Sequence, residues 1–178
     1  MLAPLRQYLM PRDVEIFRAR SADPKSISGD AKLLILTQRA YQTAVTGTNG
    51  FFCRVAWSWS ADLTTRLLGS TITCAICYKA LAARSQVPAT IKRTQVALAG
   101  GSKTEILATI KAGIQSGELP TAEPGSIAYM MSKERYLNNR VGHWLPHLMF
   151  FTPETDPKFG VPDFLSRPFS ASIIRRST

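Results

Sequence analysis

Short runs of apolar residues, broken by prolines, glycines and small polar residues, mark out the elements of this chain. Lys32 to Leu36 (KLLIL) is a continuous apolar run that suits a buried strand, although its length alone does not exclude a helical turn. Tyr41 to Thr46 and Phe51 to Trp59 are two runs rich in β-branched and aromatic residues on either side of Asn49-Gly50. Asn-Gly readily adopts the positive φ angles of a type I′ turn, so the two runs are expected to pair antiparallel as a hairpin. Residues 60 to 73 are polar and weakly patterned and read as a surface excursion.

Helical spacing dominates the middle of the chain. Lys79 to Gln86 is alanine-rich and helical, and Pro88 can open a second helix carrying Ile91, Gln95 and Leu98 before Gly100-Gly101 ends it. Ser102 and Glu105 form an S-x-x-E capping box, in which hydroxyl and carboxylate each satisfy an otherwise unpaired backbone N–H. Behind it Ile106, Leu107, Ile110 and Ile114 gather on one face, and Gly117 supplies a left-handed stop. Pro120 and Pro124 bracket a loop, Ser126 to Met131 (SIAYMM) reads as a strand, Lys133 to Asn139 as a short polar helix, and His147 to Phe151 as the last core strand. The order predicts an α+β fold, a mainly antiparallel sheet of four to five strands with helices packed on one face. Residues 1–29 are interrupted by Pro4, Pro11 and Pro24 and are expected to be peripheral; residues 30–156 form the single domain, and 157–178 a wrapping or flexible tail.

Composition agrees with one folded domain: of 178 residues, 45% are hydrophobic and 19% charged. The net charge of +10 favours an anionic partner, but the basic residues come singly or in pairs, and no zinc-finger spacing or RNP-like aromatic pattern accompanies them. Nucleic acid is therefore the weaker expectation and a small-molecule or anionic ligand the stronger. No apolar run is long enough to span a membrane as a helix, and no secretion signal is evident at the start of the chain.

Both histidines lie in GHWLPHLMFF, residues 142–151. Pro146 forbids a regular helix there and pushes the preceding residue towards extended geometry. Alternation then places His143, Leu145, His147, Met149 and Phe151 on one face, with Trp144, Pro146, Leu148 and Phe150 on the other. Two imidazoles four residues apart in a strand are about 13 Å apart, too far for an easy shared metal ion. They are either packed, hydrogen-bonded core histidines or groups able to move a proton near neutral pH. Ser132 beside Lys133 reads as a helix N-cap, because adjacent residues do not face each other; a nucleophile served by His143 or His147 is the alternative. Cys74-Ala-Ile-Cys77 offers a redox pair or half of a four-cysteine metal site, with no second such pair in the chain.

Between Ser28 and Asp156 the sequence resembles a family of uncharacterised bacterial proteins that commonly carry an export signal. The resemblance rests on TGTNGFFC at 46–53, Ala82-Ala83-Arg84-Ser85, Lys92-Arg93-Thr94, Leu98-Ala99-Gly100, Glu123-Pro124-Gly125 and YMMSKERYLNNRVGHWLPHLMFF at 129–151. It implies kinship and an extracytoplasmic location, but no activity and no cofactor. It also implies a disulfide between Cys53 and Cys77, leaving Cys74 unpaired. Relatives often have a third imidazole where this chain has Leu145, so a metal site here would need Glu134, Glu154, Asp156 or a cysteine in its place. The leading expectation is a small-molecule or anion-binding pocket formed by Tyr129, Lys133, Arg140, His143, Trp144 and His147. The alternatives are a hydrolase with His143 or His147 as general base and Ser132 or a metal-bound water as nucleophile, and an interaction protein whose histidines are packed.

Overall fold

The computed structural model describes residues 4–60, 73–134, 146–152 and 170–174. A short 3-10 turn at Leu5–Gln7 precedes α1 (Arg12–Arg20) and the brief α2 (Lys25–Ser28). Strands β1 (Lys32–Leu36), β2 (Tyr41–Val45), β3 (Phe52–Trp57) and β4 (Thr73–Tyr78) follow, then helices α3 (Ala80–Leu98) and α4 (Lys103–Gln115). Strands β5 (Ser126–Met130), β6 (His147–Thr152) and β7 (Ser170–Ile174) complete the order. The fold is α+β, built on one mixed sheet of seven strands in the order β2-β1-β3-β4-β5-β6-β7, more strands than the sequence suggests. The two additions are β4, which carries the C-x-x-C, and β7, which extends the sheet with part of the expected tail.

The Asn49-Gly50 turn does not close a hairpin. β2 pairs with β1, β1 pairs in parallel with β3, and so β1 lies between the two strands the turn connects. The apolar KLLIL strand gains from being flanked on both sides, and the turn motif fixes local φ angles without fixing the strands' neighbours. Gly50 does have φ 76°. The connection crosses over the start of β1: Thr48 N–H donates to the Asp30 carbonyl at 2.9 Å and Lys32 N–H to the Phe51 carbonyl at 2.8 Å. The hairpin that does form is β1-β2, closed at Thr37, whose N–H and hydroxyl both donate to the Ala40 carbonyl.

Helices cover both faces of the sheet, not one. Cys53, Val55, Trp57, Ala75 and Cys77 point to one side and pack in a core with Ala19 and Ile16 of α1. Their alternating neighbours Ala56, Ile76 and Tyr78 point to the other side and pack with Ala82 and Ala83 of α3. The N-terminal stretch is thus integral: Tyr8, Ala19 and Ala22 are among its fully buried side chains, and Tyr8 stands edge-on to Trp57 and Trp59. α3 runs unbroken through Pro88, where two helices were expected. Ala82, Ala83 and Gln86 before the proline and Ala89 and Thr90 after it are all buried, so packing on both sides outweighs the lost helical hydrogen bond. The Ser102 capping box opens α4 as expected.

Candidate functional site

The parallel ladder between β1 and β3 is short, joining only Lys32–Leu34 to Phe52–Arg54. Beyond it the strands part, and backbone groups that would have continued the ladder need other partners. Side chains supply them. Leu36 N–H donates to Glu15 Oε1 at 2.9 Å, and the Tyr41 hydroxyl donates to the Val55 carbonyl. Glu15 reaches this point from the buried side of α1, while Tyr41 comes from β2.

Arg54 lies against this opening. It is only 2% exposed, although it sits in a central strand among apolar neighbours. Its guanidinium carbon lies 5.1 Å from the Tyr41 ring centre and 5.6 Å from that of Tyr78. Nη2 donates to the Tyr78 hydroxyl at 2.8 Å and to Thr90 Oγ1 of α3 at 3.1 Å. Nη1 donates to the Tyr41 hydroxyl at 3.3 Å and to Ser60 Oγ at 3.5 Å. Nη1 also donates to the Val55 carbonyl at 3.5 Å, so hydroxyls and one carbonyl receive the charge, and among the described residues Arg54 forms no ion pair within 4.0 Å. Arg54 Nε and Glu15 Oε2 are both buried without a hydrogen-bond partner among the described residues.

The protonation states sharpen this picture. Burial raises the Glu15 carboxyl from its ordinary 4.5 to about 7, against the opposing pull of the Leu36 N–H and of Arg54. Burial also pushes the Tyr41 phenol upward, keeping it a neutral hydroxyl. The arginine stays charged in any case. Burial thus favours the neutral form of the Glu15 carboxyl beside a guanidinium that stays charged, which gives the cluster a net positive character.

The residues named from sequence are distributed around this cluster. His147 opens β6 opposite Met130 and is buried on the α3 side of the sheet. That is the side Arg54 faces, three strands away, about 14 Å at the usual strand spacing. Tyr129 is paired with Leu148 and so faces the opposite side, against Phe51, where it cannot share a pocket with His147. Lys133 is exposed. Ser132 is buried, accepting from the Ser21 hydroxyl at 2.7 Å and from Glu134 N–H at 3.1 Å; the second bond is of the capping kind. Arg140, His143 and Trp144 lie outside the described residues, as do residues 135–139 of the expected short polar helix and the carboxylates Glu154 and Asp156; Lys133 and Glu134, its expected start, are not helical.

Cys53 and Cys77 face each other directly across β3 and β4 and form a fully buried disulfide. Cys74, three residues along the same strand, points to the other face, so the C-x-x-C cannot act as a redox pair. Among the described residues no group of three His, Cys, Asp or Glu side chains could hold a metal ion, and no helix is long and apolar enough to cross a membrane.

The Arg54 cluster escaped the reading of the sequence because its members lie 13, 24 and 36 residues apart. One signal was present: a single arginine inside the apolar run FCRVAW, where a strand residue facing a covered side has no route to water. No known protein family, curated protein or solved structure matches the chain.

Proposed function

We propose that the protein binds a small acidic molecule, a carboxylate or phosphate compound, at the opening between β1 and β3, with Arg54 as its anchor. The observation that carries this reading is a buried guanidinium whose partners among the described residues are all neutral, four hydroxyls and the Val55 carbonyl. Buried charges are costly unless paired, and a planar, permanently charged fork suits carboxylate and phosphate oxygens. Topology supports the same place. β1 and β3 run parallel while their connections leave to opposite sides, which is where open sheets form a crevice at the strand ends. Tyr41 and Tyr78 would form the walls and Thr90 a further hydroxyl contact, and His147 on the same side is a second group able to exchange a proton.

A thermal-shift screen of small carboxylates, phosphate and citrate against matched neutral compounds tests it. A true ligand at a hundred times its Kd stabilises by about 2.7 kcal/mol, which raises Tm by several degrees in a chain of this size. Arg54→Gln is expected to lose the shift. Thr90→Val, which removes a single contact, keeps the protein folded and weakens the shift. A screen in which acidic and neutral compounds behave alike ends the proposal.

A further inference from the structure

Three large hydrophobic side chains among the described residues stand out in solvent: Val14 at 42%, Phe17 at 69% and Met131 at 40% exposure. They belong to one region. On α1, Glu15 and Ala19 turn inward, and a helical rotation of about 100° per residue puts Val14 and Phe17 on the outward side. Ser21, four residues after Phe17, is bonded through its hydroxyl to Ser132, while Met131 N–H donates to the Ala22 carbonyl at 2.8 Å. Met131 is thereby held at the end of the helix that presents Phe17.

Charge surrounds this apolar ridge. Arg12 and Arg20 are exposed on α1, Arg18 lies half-buried beside them, and Lys133 is exposed next to Ser132. Of the acids of the same stretch Glu15 and Asp23 are buried, and the exposed Glu134 is paired with Arg18 at 3.7 Å. Asp13 is the exposed acid of α1, and the whole chain carries +10. Single exposed apolar residues are ordinary, but three in one region with cationic flanks match the interface between lipid headgroups and acyl chains.

We infer that α1 and Met131 form a docking ridge that seats the protein on an anionic lipid surface. Phe17 and Val14 enter the boundary beneath the headgroups, and Arg20 and Lys133 meet lipid phosphates. This inference does not depend on the Arg54 site.

Sedimentation of the full chain with vesicles tests it, comparing phosphatidylcholine alone with phosphatidylcholine containing phosphatidylglycerol. Association with the anionic vesicles only, released by added salt, is expected. Phe17→Ser, at an exposed position and so without effect on the fold, is expected to weaken binding about tenfold, roughly 1.4 kcal/mol. Arg20→Glu should also weaken it, whereas Lys111→Glu, an equal charge change on the exposed side of α4, should leave it within about twofold. The inference is overturned by an absence of vesicle binding, by equal binding to neutral vesicles, or by Lys111→Glu matching Arg20→Glu while Phe17→Ser has no effect. It is also overturned if the full chain ignores vesicles but self-associates in a way that Phe17→Ser abolishes.

Discussion

Glu15 on α1 accepts the backbone N–H of Leu36 at 2.9 Å, standing in for the strand neighbour that β1 loses where it parts from β3. That position keeps the carboxyl out of water and lifts it from 4.5 to about 7. The folded state therefore holds this proton more tightly than the unfolded chain. The resulting stability is fully present below about pH 4.5 and is lost as pH rises through 7, up to about 3 kcal/mol at roughly 1.4 kcal/mol per unit. Asp23, raised by burial from 3.8 to about 6, acts in the same direction over a lower window. Melting curves between pH 5 and 8 are expected to show Tm falling with pH in the native chain. In Glu15→Gln, whose amide oxygen still accepts from Leu36, that fall should flatten; an unchanged slope would show that Glu15 titrates normally.

The disulfide makes a countable prediction. With three cysteines and one Cys53–Cys77 bond, the denatured, unreduced protein should titrate a single thiol per chain. Closing a loop of 24 residues stabilises by about 3 kcal/mol in the chain-entropy treatment, so a Cys53→Ala, Cys77→Ala double variant should unfold at clearly lower urea. Cys74→Ser should leave the midpoint close to native. Three titratable thiols would remove the bond from the account.

Gly47 is required by contact rather than by its backbone angles. A Cβ there would lie 2.0 Å from Lys32 N and 2.4 Å from the Ala31 carbonyl carbon, both backbone atoms that cannot turn aside. Gly47→Ala must push the crossing loop off the start of β1, and a loss of more than about 3 kcal/mol is expected. Chemical denaturation measures it; a loss under about 1 kcal/mol would mean that the loop has room to move.

Elements whose signal is local were readable in advance, and those whose partners are distant were not. The Ser102 capping box, the KLLIL and SIAYMM strands and the alternation that puts His147, Met149 and Phe151 on one face all follow from neighbours within a few residues. The Asn49-Gly50 turn misled because its geometry says nothing of which strand will insert beside it. β4 carries little local signal, because Thr73–Tyr78 sits between a weakly patterned stretch and a strong helix. The polar cluster was hidden for a deeper reason. Glu15, Tyr41, Tyr78 and Thr90 each look ordinary in sequence, Arg54 alone stands out within its apolar run, and only the splay of two strands brings them together. Of the histidine site expected from sequence, His147 is placed on the same side as Arg54 and Tyr129 on the other.

The side-chain Nε–H resonance of Arg54 offers the most direct test of the proposed anion site. In protein labelled with 15N-arginine, that signal is assigned by its loss in Arg54→Gln and followed while phosphate or citrate is added. A saturable shift of this resonance ahead of those of the exposed Arg12, Arg20 and Arg39 is expected, since Arg54 Nε is buried without a hydrogen-bond partner among the described residues. Movement of the exposed arginines alone, with Arg54 stationary at saturating anion, would contradict it.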